Sequence, residues 1–148
     1  MHVAAFTPDS GQSALSLLAT LPAPPPINNY LVFDSTQSFT WISDEGIARA
    51  FAQLLPPLEQ EELAVTQGIT ATAGLPAIPT VTPAWKSKPS WFVVSQYDDV
   101  ITANLEKEEA ATIEATSIEL PTCHVAMLQE PEHVANFIIS AAESFNRH

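Results

Sequence analysis

Two short apolar runs, each followed a few residues later by a reactive side chain, constrain this sequence more than any other feature. The first, Ser90-Trp-Phe-Val-Val-Ser95, is followed by Gln-Tyr-Asp98; the second, Thr116-Ser-Ile-Glu-Leu120, by Pro-Thr-Cys-His124. Runs this short, apolar and bounded by turn-forming residues read as buried strands. Between them Thr102–Ala115 is acidic with Leu105 and Ile113 directed inward, the pattern of a helix packed on one side. Strand, helix, strand implies parallel pairing through a right-handed crossover. In an open parallel sheet ligands bind beyond the C-terminal strand ends. Asp98 and His124 are therefore predicted to meet there, the acid orienting the base as in two members of a catalytic triad.

The rest of the chain fits around this pair. Met1–Phe6 reads as another strand, closed by the turn cluster Thr7–Gly11, and Ser13–Leu21 as a helix stopped by Pro22. Tyr30–Asp34 and Ser38–Ser43 alternate apolar and polar residues around a short turn, a hairpin signal. Ser43 is a good N-cap for a helix whose apolar face is Ile47, Phe51, Leu54 and Leu55, with Pro56-Pro57 ending it. A second helix is expected over Pro57–Gln67. From Gly68 to Pro89 no period persists, so a long irregular connection is expected. Pro131 opens the last helix, with Val134, Phe137, Ile138, Ala141 and Phe145 on one apolar stripe. The reading is one α/β domain over 1–148. Residues 1–22 form a first core strand and helix, 23–89 a cap and linker, and 90–148 the strands and helices carrying Asp98 and His124.

Charge and composition exclude several functions. The net charge of −12 repels nucleic acid and anionic membranes. A single cysteine, Cys123, leaves neither an internal disulfide nor a cysteine-based zinc site. The sequence has no apolar run of the roughly 20 residues that a membrane span needs. Nor does the start resemble a signal peptide, so a cytoplasmic location is the expectation. The 13 prolines cluster at 22–26, 56–57 and 76–89, marking connections. His2, His133 and His148 supply no ligand spacing that would draw a metal to His124 and Asp98, and no cofactor is expected.

Four segments in this order resemble the C-terminal half of an α/β-hydrolase. Val3-Ala-Ala-Phe-Thr-Pro-Asp-Ser-Gly-Gln-Ser13 is similar to the strand and turn after that family's nucleophile helix. Pro89–Asp98 resembles the strand delivering the triad acid, and Cys123-His-Val-Ala-Met-Leu-Gln-Glu-Pro131 the histidine loop. The hairpin and helices between them resemble the small cap of the branch holding bacterial esterases, plant methyl esterases and hydroxynitrile lyases. The resemblance implies a three-stranded parallel partial hydrolase sheet with flanking helices and a hairpin-plus-helix cap. It also implies Asp98 as triad acid, His124 as base, and an apolar pocket lined by Trp41 and Trp85. One departure is large: no G-x-S-x-G nucleophile elbow occurs in this sequence.

These residues leave three functions open. One is a small hydrolase of activated esters or similar carbonyl substrates, in which His124 activates the nucleophile. Cys123 beside the histidine is a candidate nucleophile against a packing role, and Ser95 at a strand end is a weaker one. The second is an inactive remnant serving as an interaction module, and the third is the C-terminal half of a split hydrolase. A strand at Val3–Phe6 with one neighbour would leave an apolar edge. Self-pairing of that edge in a two-fold homodimer is the expected cover.

Overall fold

A computed structural model describes residues 1–145; His148 and the side chain of Phe145 lie outside the described part. Three parallel strands form the central sheet in the order β1 (His2–Val3), β5 (Trp91–Ser95), β6 (Thr116–Leu120). The register pairs Val3 with Val93, and Val93 with Ile118. Side chains alternate across β5 as strand geometry requires. Phe92 and Val94 pack on Ala110 of α4 (Ala103–Thr112) and on Ile113, its C-cap, on one face of the sheet. Val93 packs with Leu120, Ala126 and Val134, which places α6 (Pro131–Phe145) on the other face.

The first strand is shorter than its apolar run. Ala4 donates its N–H to Val93 O at 3.2 Å and then adopts φ 43°, which turns the chain out of the sheet before Phe6. Thr7 is instead fastened to α4, its N–H and hydroxyl donating to Glu109 Oε2 at 2.7 and 2.5 Å. Helix α1 (Ala14–Leu18) follows, capped by Ser13 through a reciprocal bond with Ser16.

The middle third builds a second, antiparallel sheet of β2 (Leu31–Phe33), β3 (Phe39–Ile42) and β4 (Thr70–Ala71). The hairpin was legible; β4, inside the expected irregular connection, was not, since two residues carry no period. Ser43 Oγ accepts Gly46 N–H at 3.1 Å and so caps α2 (Asp44–Gly46), as the sequence predicts. A Cβ on Gly46 would lie 2.4 Å from Tyr30 Cβ, so the hairpin reaches this helix only because position 46 is glycine. The helix then loosens into a π-turn, Ile47–Phe51, closed by Ala52 N–H to Ile47 O at 2.8 Å. Ile47, Ala52 and Leu55 are buried against Cys123 and Val125, which joins this segment to the histidine loop. Helices α3 (Pro57–Thr66) and α5 (Ala126–Gln129) complete the chain. On α6, Val134 and Ala141 are buried as the stripe requires, but Ile138 is about half exposed, at 48%. No described helix is long and apolar enough to cross a membrane.

Candidate active site

The pairing of β5 with β6 continues beyond both strands. Gln96 N–H donates to Leu120 O at 2.9 Å and Tyr97 N–H to Thr122 O at 3.0 Å. This extension brings the two loops side by side, so that His124 Nδ1 stands 2.7 Å from Asp98 Oδ2. Each loop is braced separately. Asp98 Oδ1 accepts the N–H groups of Val100 and Ile101 at 2.6 and 2.9 Å. The histidine loop closes on Gln129, whose Oε1 accepts Cys123 N–H at 3.0 Å.

Asp98 is 4% exposed and would be difficult to ionise by burial alone. The hydrogen bond and positive charge that His124 offers, with the backbone N–H of Ile101, outweigh that burial and hold its carboxyl down at about 2. An ionised Asp98 places the imidazole proton on Nδ1, an assignment that follows from this bond. Nε2 is left with its lone pair and makes no hydrogen bond among the described residues. The imidazole is partly open, at 19% exposed, and the ring of Phe51 lies 5.1 Å from it at 50°.

A cavity of about 380 Å³ is lined in part by Phe51, whose ring lies against His124, and by Val100, whose N–H bonds Asp98; neither Asp98 nor His124 is itself among its walls. Its walls are mainly apolar, including Phe6, Leu18, Ile27, Leu31 and Trp41. Trp41 is one of these walls. Trp85 is not: it packs beside Phe92 and Ile113 on the α4 face, its Nε1–H directed to Pro8 O at 3.4 Å. The proline-rich connection carries it past the edge of the sheet, so cap membership in sequence does not put it over the pair.

Neither thiol nor hydroxyl candidate faces the cavity. Cys123 is fully buried in the Ile47–Leu55 cluster, because consecutive residues of the loop point to opposite sides and His124 takes the open one. Ser95 is also fully buried, its Oγ accepting from Thr122 Oγ1 at 3.2 Å. The other described histidines lie apart, His2 stacked on Phe92 and His133 bonded to Glu130 at 2.8 Å. Among the described residues no group of three or more His, Cys, Asp or Glu could hold a metal.

Two contributors escaped sequence reasoning. Gln53, just past the π-turn, donates from Nε2 to Tyr97 O at 2.7 Å and to Asp99 Oδ2 at 3.2 Å. With Ile27 N–H bonded to Asp99 O at 3.1 Å, it ties the cap to the Asp98 loop. Asp99 itself is pushed up by partial burial and then by the charge of Asp98. The second is Glu106, fully buried and interacting with Asp98.

No family model and no curated protein sequence matches this chain. Solved structures do. A pyrethroid hydrolase superposes with a TM-score of 0.73 at 14% identity, covering 99% of this chain and 61% of that one. A pyrethroid hydrolase from Sphingobium faniae JZ-2 gives 0.73 at 13% identity, with the same two coverages, 99% and 61%. Polyneuridine aldehyde esterase gives 0.73 at 13% identity, over 95% of this chain and 60% of its own. All are α/β-hydrolase-fold esterases. The present chain has that fold and spans about three-fifths of these neighbours' length.

Proposed function

We propose that this protein is a hydrolase of esters with a bulky apolar part, with His124 as general base and Asp98 as its orienting acid. The observation that carries the reading is the 2.7 Å Asp98–His124 contact, with Phe51 between His124 and an apolar cavity of about 380 Å³. That volume is in the usual range for small-molecule sites. The substrate's apolar portion lies against Trp41 and Leu31, with its carbonyl toward Nε2. Nε2 takes a proton from an attacking water, Asp98 stabilises the resulting imidazolium, and the same proton is returned to the departing alcohol. A positioned base of this kind is worth about 10²–10⁴ in rate. Neighbours named as a pyrethroid hydrolase and an esterase support the reaction class.

Hydrolysis of chromogenic aryl and alkyl esters by wild type and His124→Ala tests it. Turnover that disappears in the variant is expected; equal turnover in both would refute the mechanism.

The three-fifths coverage and the absence of G-x-S-x-G favour a second reading, in which the serine comes from outside this sequence, for example from another polypeptide. Among the described residues β1 pairs only with β5, leaving one strand edge where such a polypeptide, or a second copy of this chain, would add. Ester turnover that appears only on mixing with a G-x-S-x-G polypeptide supports the split enzyme. Light scattering distinguishes the homodimer.

A further inference from the structure

Behind the acid of the pair lies a second carboxyl that the mechanism above does not use. Glu106 stands in the first turn of α4 and no part of it reaches solvent. Its Oε2 accepts Ser95 N–H at 2.9 Å, and its Oε1 is buried with no hydrogen-bond partner. An ionised carboxylate with an oxygen stranded in a dry interior is costly, whereas a protonated one needs only an acceptor. Asp98 is the neighbouring acceptor: burial first, and then the hydrogen-bonding and charge of Asp98, push Glu106 up to about 9. Asp98 cannot take the proton instead. Its Oδ1 already receives two backbone N–H groups and its Oδ2 receives His124. Two adjoining buried carboxyl groups hold one proton between them, and these bonds allot it to Glu106.

We propose that Glu106 is a positioning residue of the Asp98–His124 pair. As an uncharged acid it grips the end of β5 through Ser95 and sets no second negative charge beside the Asp98 carboxylate, leaving that charge directed at His124. The same turn is closed by Asp98 N–H to Ser95 O at 3.2 Å, so Glu106 anchors, through Ser95, the start of the segment that presents the acid. Its chemistry is close to that of a primary amide, an acceptor oxygen beside a donor group, and glutamine is the side chain nearest to it. The role is defined on the pair used in the proposed hydrolase, but its test does not require turnover.

The experiment compares wild type, Glu106→Gln and Glu106→Leu by NMR, with ¹³C in the glutamate carboxyls and ¹⁵N in the histidines. Wild type should show one glutamate still protonated at pH 7, and Glu106→Gln should lack that signal. The low-field Nδ1–H resonance of His124 should keep its position in Glu106→Gln and move or vanish in Glu106→Leu, with far-UV circular dichroism unchanged. A purely structural role would disturb folding in the leucine variant and leave the resonance of the folded fraction in place. The proposal is overturned if every glutamate is ionised at pH 7, or if glutamine displaces the resonance as leucine does. If the leucine variant does not fold, the carboxyl signal and the glutamine variant decide between these outcomes. An intact signature in a protein that turns over no ester would reject the hydrolase reading alone.

Discussion

Replacing Glu106 by glutamine should make the protein more stable, and increasingly so as the pH rises. An acid whose pKa is raised on folding takes up a proton when the chain folds. Its contribution is fully present below the unfolded value, near 4.5, and is lost as pH climbs towards about 9. Within that window each pH unit costs wild type up to about 1.4 kcal/mol relative to a variant that does not titrate. Between pH 6 and 8 the glutamine variant should therefore gain on wild type by roughly 3 kcal/mol. For a chain of this size that is a relative rise in Tm of roughly 5–10 °C. Asp98 does not confuse the measurement. Its lowered pKa contributes stability above 3.8 that is lost only as pH falls towards about 2. Other titrations are common to both proteins and cancel in the difference. Urea unfolding of the two proteins at pH 6, 7 and 8 gives the quantity directly. A difference that stays constant across those three values would refute the protonated carboxyl and the packing argument behind it.

Three further outcomes follow from the site. Asp98→Asn should lower ester turnover by about 10³–10⁴, since the amide favours the wrong imidazole tautomer, and His124→Ala should abolish it; kcat with a chromogenic ester checks both. Trp41→Ala removes a wall of the cavity without touching His124, so KM for bulky esters should rise by about tenfold while kcat changes little; steady-state kinetics separate the two. Cys123→Ala should cost about 1–2 kcal/mol in urea unfolding through the space left in its cluster, with turnover per folded molecule preserved. Loss of turnover there would reinstate the thiol as nucleophile.

The parallel strands and the meeting of Asp98 with His124 were legible because each rests on a local rule. An apolar run of strand length ends, and a polar side chain follows at the edge where parallel sheets bind ligands. Ser43 as a cap and Pro131 as a helix start were legible for the same reason. What was hidden depends on contacts distant in sequence. Glu106 belongs to Glu106-Lys-Glu-Glu, a run that reads as a solvated helix face. Only its position beside Leu105, with Glu109 and Ile113 one and two turns on, marks it as inward. The early exit of β1 at Ala4 involves a residue with no turn preference, and its left-handed φ comes with the bonding of Thr7 to Glu109, 102 residues away in sequence. Cys123 and Trp85 looked chemically interesting by type and neighbourhood, but sequence adjacency says little about which way a loop side chain points.

The π-turn at Ile47–Phe51 has an evolutionary side. Such a turn amounts to an α-helix carrying one residue too many, and here that surplus delivers Phe51 to His124 and Gln53 to the Asp98 loop. Removing one residue would turn everything beyond it by about 100° around the helix axis. Both side chains would then leave the site together, although neither had been mutated. In-frame insertion or deletion, which usually spares a fold only in its loops, becomes at this helix a single step that joins Phe51 and Gln53 to the Asp98–His124 pair or takes both away.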